Sequence, residues 1–168
     1  MKLDFGCGLN VREGFEGADI RDFGQKHVVD LTLTWPWEDE SVEEAHASHF
    51  VEHLGAEERV HFVNELYRVL VPAGKCQIIT PHWASCRAYG DLTHKWPPVS
   101  EFWFYYLNKE WRAVNAPHND GYQCDFEATW GYSLREDLAI RNLEFQQFAL
   151  GNYKEAAQDI IAMLTKRN

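Results

Sequence analysis

A short apolar segment that runs directly into a glycine turn is the feature that most constrains how this chain folds. Residues 2–5 have the composition of a buried strand, and Gly6, Cys7 and Gly8 follow them without a spacer. Glycines suit such a turn when a ligand approaches it, because a Cβ would hold the backbone away from a bound nucleotide. The pattern therefore predicts a first strand that leads directly into a ligand-binding turn. The segments that follow support this prediction.

Three further strand-like segments, at residues 15–20, 26–31 and 42–48, end in polar side chains. Asp19 lies at the end of the first of these, Asp30 at the end of the second and Ser48 at the end of the third. The carboxyl ends of parallel strands meet at one edge of a sheet, where open α/β folds bind ligands. A carboxylate at Asp19 can accept two ribose hydroxyls, and an acidic group at Asp30 can face an adenine edge.

The clearest helix spans residues 56–70, where apolar side chains recur at helical spacing until Pro72 and Gly74 end the pattern. A strand is predicted over 75–80, a pair of antiparallel strands within 122–132, and helices over 137–150 and 153–164. Strands that alternate with connections in this way predict an α/β domain with a Rossmann-like, largely parallel sheet and helices on both faces.

Length and charge narrow the classes of function. The 168 residues suit one domain with one core, and the formal net charge of −10 comes without a basic run. An extended nucleic-acid surface is therefore not expected. No apolar run is long enough to span a membrane. The four cysteines form no Cys-x-x-Cys pair, and we interpret them as reduced thiols of a cytoplasmic protein.

Five motifs occur in order along the first half of the chain, up to about Pro81. They are Leu3-Asp-Phe-Gly-Cys-Gly8, Gly17-Ala-Asp-Ile20, Asp30-Leu31 with Trp35-Pro-Trp37, Ser48-His-Phe-Val-Glu-His-Leu54, and Glu65-Leu-Tyr-Arg-Val-Leu-Val-Pro-Ala-Gly74. Together they resemble the ordered motifs of class I S-adenosylmethionine-dependent methyltransferases. The chain looks like a small, short-loop variant similar to methyltransferase type 11 domains.

The resemblance implies a methyltransferase with S-adenosylmethionine as cofactor, in one domain with a cofactor half (1–81) and an acceptor half (82–168). It implies cofactor-binding residues at the first four strand ends: Asp4, Phe5, Gly6, Cys7, Gly8, Asp19, Ile20, Asp30, Leu31, Ser48 and His49. Asp19 would take the ribose hydroxyls, Ile20 would pack on the adenine, and His49 would lie near the sulfonium. The acceptor is expected to be a small molecule or one delivered by a protein. A module that binds the cofactor without transferring its methyl group is the alternative.

The chain departs from that family in the connection after the first strand. Class I enzymes usually place a full helix there, but Leu9–Gly14 is too short for a helix of ten residues. The helix is therefore expected to be reduced or absent, which leaves one face of the sheet uncovered. We expect either the aromatic C-terminal half or a second subunit, in a homo-oligomer, to cover that face.

Histidines are the candidate general bases, because their charge changes near neutral pH. His49 is the first candidate, with His53 and His82 as alternates. A metal site of His46, His49 and His53 is not expected, because a strand-to-helix junction does not place all three on one face. Other polar residues of the second half either line an acceptor pocket with Trp83, Tyr89 and Trp96 or lie in surface loops: His82, Asp91, His94, His118, Asn119 and Asp120.

Overall fold

The computed structural model describes all residues, Met1–Asn168, and contains one seven-stranded sheet. The strands are β1 (Lys2–Phe5), β2 (Glu16–Asp19), β3 (His27–Val28), β4 (Val42–Ser48), β5 (Leu70–Pro81), β6 (Phe126–Leu134) and β7 (Ala157–Lys166). Their order across the sheet is β3-β2-β1-β4-β5-β7-β6. Strands β1 to β5 are parallel, and β7 runs antiparallel to both of its neighbours. The predicted α/β fold with a largely parallel, Rossmann-like sheet is confirmed.

Six α-helices and one 3-10 turn connect the strands. The turn spans Val51–His53, and the helices are α1 (Ala56–Val69), α2 (Arg87–Gly90), α3 (Glu101–Tyr105), α4 (Lys109–Asn115), α5 (Glu136–Ala139) and α6 (Leu143–Asn152). The predicted helix over 56–70 is confirmed as α1. It begins where Glu58 Oε2 accepts a hydrogen bond from the Gly55 backbone N–H at 2.6 Å, which satisfies one of the free donors at its first turn.

The main core lies between α1 and one face of the sheet. Phe5 from β1 and Phe62 from α1 are fully buried, with ring centroids 5.7 Å apart. Trp35 and Trp37, from the loop before β4, enclose the Phe5 ring at 4.6 and 5.7 Å. This aromatic cluster fixes the end of β1, and with it the start of the glycine turn.

The helix after β1 is absent, as predicted, and a short loop lies on the second face of the sheet in its place. Within that loop the Arg12 guanidinium donates to Gln77 Oε1 on β5 at 2.8 Å, and the Phe15 ring lies 6.3 Å from that of His46 on β4. The loop runs so close to β2 that a Cβ at Gly17 would meet Val11 Cγ2 at 2.6 Å. The missing helix is thus replaced, at this end of the face, by direct loop-to-sheet packing.

The aromatic residues Trp130 of β6 and Phe104 of α3 do not cover that second face. Trp130 on β6 pairs with Ala162 on β7, and Ala162 pairs with Ile78 on β5. Directly paired residues point to the same face of a sheet, so Trp130 points into the main core, where Phe104 of α3 stacks on it at 5.8 Å. The aromatic residues therefore extend the core on the α1 side. Coverage of the second face by another subunit stays a prediction.

Two predictions for the C-terminal third are wrong. Residues 153–164 were predicted as a helix, yet β7 occupies most of that range and fills the gap between β5 and β6. Its side chains alternate in burial, with Ile160, Ala162 and Leu164 in the core. The range 122–132 contains the start of one strand instead of a pair, because the partner of β6 is β7. Burial between two neighbours overrides the helix propensity of Ala, Leu and Met here.

None of the helices is long and apolar enough to cross a membrane. All four cysteines are free thiols in the structure.

Candidate cofactor site at the strand ends

A cavity of about 180 Å³ opens at the carboxyl ends of β1, β2 and β3. It is lined by Gly6, Asp19, Ile20, Val29, Asp30, Leu31, Thr32, Phe50, His53 and Leu54. The sheet order places β3, β2, β1 and β4 side by side and parallel, so their ends converge there. Five of the predicted cofactor residues, at positions 6, 19, 20, 30 and 31, are brought together in this single cavity.

The two glycines of the turn are required for different reasons. Gly6 has a φ of +63°, and a Cβ there would lie only 2.3 Å from Cδ2 of Phe50. Gly8 also has a positive φ, +53°, but nothing lies within 4 Å of where its Cβ would be. The first glycine thus lets the Phe50 ring form a wall of the cavity, and the second leaves open space beside the turn.

Asp19 and Asp30 carry the negative charge of the cavity. Asp19 accepts the Gly8 backbone N–H at 3.0 Å through Oδ2 and the Arg21 N–H at 3.0 Å through Oδ1. Asp30 accepts both the N–H and the hydroxyl of Thr32 through Oδ1, and these bonds lower the pKa of its carboxyl group. Each carboxylate oxygen can accept a further hydrogen bond, so both residues keep acceptor capacity for a ligand.

The remaining predicted cofactor residues do not line the cavity: Asp4, Phe5, Cys7, Gly8, Ser48 and His49. Asp4 lies behind it, almost fully buried, where it accepts the Arg12 N–H at 2.8 Å and pairs with His46 Nδ1 at 2.7 Å. It therefore shapes the loop that follows the turn. Burial, together with the nearby charges of Asp4 and Asp19, raises the pKa of the Cys7 thiol, which keeps it protonated.

Four residues of the cavity wall were given no role from the sequence: Val29, Thr32, Phe50 and Leu54. Each lies within a few residues of a predicted strand end, and Phe50 and Leu54 belong to a motif that was noted. The apolar side chains of Val29, Phe50 and Leu54 supply surfaces that an aromatic base can pack against. Proximity to a strand end was the signal that could have found them.

A second cavity, about 470 Å³ in volume, adjoins the first, and His53 lines both. It is lined by His49, Glu52, His53, Pro81, Arg87, Gly90, Asp91 and His94. His49 adopts a φ of +51°, a rare conformation for a non-glycine residue. The Glu52 carboxylate, 3.3 Å from His49 Nδ1, raises the pKa of His49, and partial burial opposes that shift. His46 does not join this group, since it pairs with Asp4 instead.

His82, the third candidate base, lies outside both cavities and is buried. Its Nε2 pairs with Glu101 Oε1 at 2.9 Å, and its Nδ1 accepts the Ala84 N–H at 3.2 Å. Burial raises the pKa of Glu101, but hydrogen bonds from His82 and Tyr132 outweigh it and bring the value down to about 2. With both ring nitrogens engaged, His82 has no free position for a ligand.

A third cavity, of about 520 Å³, gathers the aromatic residues that were predicted to line an acceptor pocket. Trp83, Tyr89 and Trp96 all lie on its wall, together with Phe102. His94 and Asp91 belong to the second cavity instead, and His118, Asn119 and Asp120 line none of the three. The predicted acceptor residues are thus divided between two cavities and a surface loop, apart from His82, which is buried.

No protein-family model and no curated protein matches this chain significantly. Several solved structures do match this chain. An S-adenosylmethionine-dependent methyltransferase from Archaeoglobus fulgidus has a TM-score of 0.68 at 20% identity, over 98% of this chain and 85% of that one. A methyltransferase from Methanosarcina mazei has a TM-score of 0.60 at 14% identity, over 99% and 92%. A third, from Thermotoga maritima, has a TM-score of 0.64 at 12% identity, over 99% and 82%. The chain therefore has the fold of these methyltransferases.

Proposed function

We propose that this protein is an S-adenosylmethionine-dependent methyltransferase. The observation that carries the proposal is the cavity at the strand ends, where two carboxylates and an apolar wall meet beside the glycine turn. The shared fold with solved methyltransferases supports it, because ligands of open α/β sheets bind at this edge. The cavity is built from the ends of the protein's own first strands and the residues that directly follow them.

The residues present fit the cofactor. Asp19 projects from the end of β2 with free lone pairs, which suits the two hydroxyls of a ribose. Ile20, next to it, is 62% exposed and offers an apolar face for an adenine ring. Asp30, from the adjoining loop, suits the exocyclic amine of that ring. The open space beside Gly8 leaves the turn accessible to the rest of the cofactor.

Methyl transfer from a sulfonium is an in-line displacement that leaves an electron pair on sulfur. The protein's contribution is to align the acceptor and to exclude water, and orientation of this kind supplies much of the rate gain. His53 lines both the cofactor cavity and the second cavity, and His49 lines the second. Both are therefore placed to orient an acceptor or to receive its proton, whereas His82 is not.

We infer that the acceptor is small or is presented by a partner protein, since the second and third cavities are open and of modest size. The charge of −10 disfavours an acceptor within a long nucleic acid. We also propose that the protein acts in the cytoplasm, and that a second copy of the chain packs on the sheet face that carries no helix after β1.

Isothermal titration calorimetry with S-adenosylmethionine, S-adenosylhomocysteine and NAD tests the proposal. We expect the first two to bind and NAD not to bind. Asp19→Asn should weaken binding by about 10–100-fold, because hydrogen bonds to charged groups contribute about 1.5–3 kcal/mol. Asp22→Asn is the matched control, since Asp22 is an exposed aspartate outside the cavity. Equal binding by both variants, or none by the wild type, would contradict the assignment.

The alternative is a module that binds the cofactor without using it, and the absent helix after β1 favours it. An assay with S-adenosylmethionine that carries a labelled methyl group distinguishes the enzyme from the binding module. Transfer to any acceptor in a broad panel of small molecules supports the enzyme. Tight cofactor binding with no transfer and no cofactor consumption across that panel supports the module.

A further inference from the structure

We propose that Glu52, His53 and His94 form a divalent metal site beside the cofactor cavity. One potential ligand atom from each residue lies within 4.8 Å of the others. The two imidazole rings meet edge to face, with centroids 4.8 Å apart. Metal binding at this cluster does not depend on the proposed function, but a role for the metal in methyl transfer rests on it.

The hydrogen bonds around both histidines orient them as metal ligands. His94 Nδ1 lies 3.2 Å from the Ala88 carbonyl oxygen, which can only accept, so Nδ1 carries the proton. Thr93 Oγ1 donates to Asp91 Oδ1 at 2.7 Å and therefore accepts from His53 Nδ1 at 2.9 Å. In each ring Nε2 is left with the free lone pair. A carbonyl partner on the opposite ring nitrogen, as His94 has, is typical of histidines that bind metals, and the Thr93 hydroxyl, itself bonded to the Asp91 carboxylate, fills that place for His53.

Glu52 supplies the negative charge of the cluster. Its side chain is only 5% exposed, and Thr80 Oγ1 donates to Oε2 at 3.1 Å. The other oxygen, Oε1, is buried without a hydrogen-bond partner, because His49 approaches it at 3.3 Å but not in hydrogen-bonding geometry. A buried carboxylate oxygen without a partner is costly. A cation between Glu52 and the two histidines would satisfy it.

The chain holds the three residues in place although His94 is distant in sequence. The Lys95 backbone N–H donates to the Glu52 carbonyl at 2.8 Å, which joins the two segments directly. The buried guanidinium of Arg59 then donates to the carbonyls of Val51, Pro97 and Lys95. Both sides of the cluster are thus tied to one rigid side chain from α1, so the site is formed before any ion arrives.

The ligand set selects the kind of ion. Two imidazoles and one carboxylate suit zinc, manganese, iron or another first-row divalent ion, whereas magnesium and calcium prefer all-oxygen sites. Three protein ligands leave at least one position open, as in catalytic metal sites. The second cavity opens onto the cluster, and His53 separates it from the cofactor cavity. We infer that an acceptor with a hydroxyl or carboxylate oxygen would occupy that open position.

Metal titration of the purified protein tests the site without any assay of activity. The protein is stripped with EDTA, dialysed and titrated with Zn²⁺ and, separately, Mn²⁺ by calorimetry, with stoichiometry checked by elemental analysis. We expect one ion per chain. Glu52→Gln and His94→Ala should abolish tight binding. Thr93→Val, which removes the hydroxyl that accepts from His53 and donates to Asp91 but leaves all three ligands in place, should weaken it by about 10–100-fold. His118→Ala, an exposed histidine outside the cluster, is the matched control.

Circular dichroism establishes whether each variant is folded. If His94→Ala does not fold, the metal affinity of Thr93→Val tests the site instead. The proposal is overturned if the wild type binds neither ion, or if the cluster variants bind as the control does. S-adenosylmethionine is titrated in the presence of EDTA as a separate measurement. If the protein binds S-adenosylmethionine but no metal, only the metal site is contradicted. If it binds a metal but no S-adenosylmethionine, only the proposed function is contradicted.

Discussion

Replacing Gly6 by alanine tests why the turn after β1 needs a glycine. The new Cβ would lie 2.3 Å from Cδ2, 2.6 Å from Cγ and 2.8 Å from Cβ of Phe50, and the φ of +63° is unfavourable for alanine. The left-handed conformation costs about 1–2 kcal/mol. Overpacking against a ring that cannot move freely adds about 1–3 kcal/mol. Gly6→Ala should therefore lower the free energy of unfolding by about 2–5 kcal/mol.

Gly8→Ala is the control for that prediction. Its φ of +53° carries the same conformational cost, but the space around its Cβ is open. Urea unfolding should therefore show a loss of only about 1–2 kcal/mol. In a chain of this length each kcal/mol corresponds to roughly 2–4 °C in Tm, so thermal unfolding resolves the difference.

A double-mutant cycle with Phe50→Ala completes the test. Truncation removes Cγ and Cδ2 of the ring, so Gly6→Ala should cost less in that background than in the wild type. The reasoning is refuted if Gly6→Ala and Gly8→Ala lose the same stability, or if the cost of Gly6→Ala is independent of Phe50.

Three further predictions concern the core, a buried cation and a hydrogen-bonded carboxylate. Phe5→Ala removes a fully buried ring from the aromatic cluster and should cost about 3–5 kcal/mol in urea unfolding; a loss below 1 kcal/mol would contradict that packing. Arg59→Met leaves three carbonyls without their donor and should lower the free energy of unfolding by about 1–3 kcal/mol. The Lys95 backbone N–H should also exchange its hydrogen faster, and unchanged exchange would show that Arg59 does not hold the segment of Lys95 against that of Glu52. The pKa of Glu101 is about 2 in the folded protein against an ordinary 4.5, so its stabilisation is complete above about pH 4.5 and is lost as the pH falls toward 2. The Tm difference between wild type and Glu101→Gln should accordingly shrink between pH 5 and pH 3, and a constant difference would refute the stabilisation of the Glu101 carboxylate by its hydrogen bonds from His82 and Tyr132.

The first half of the fold was predictable from the sequence because its signals are local. β1, β4 and α1 each combine an apolar pattern with a clear boundary, such as the glycine turn after Phe5 or Pro72 after the helix. Parallel strands that follow one another through short connections leave few alternatives for their order. Asp19 and Asp30 could therefore be placed at one sheet edge before any coordinates were known.

The rest depends on contacts between distant residues. β7 contains helix-forming residues, and only its position between β5 and β6 makes it a strand. Asp4 was placed in the cofactor site from its position beside the glycine turn, but its partners Arg12 and His46, which lie on other elements, could not be inferred. The cluster of Glu52, His53 and His94 likewise could not be predicted from the sequence, because nothing near His94 indicates that it lies beside Glu52 in the fold.

A crystal structure with S-adenosylhomocysteine bound would show whether the cavity at the strand ends holds the cofactor. We expect density for the adenosyl group in that cavity, with the ribose hydroxyls within hydrogen-bonding distance of the Asp19 carboxylate and the adenine ring against Ile20. Density at another surface, or an empty cavity at saturating ligand, would contradict it.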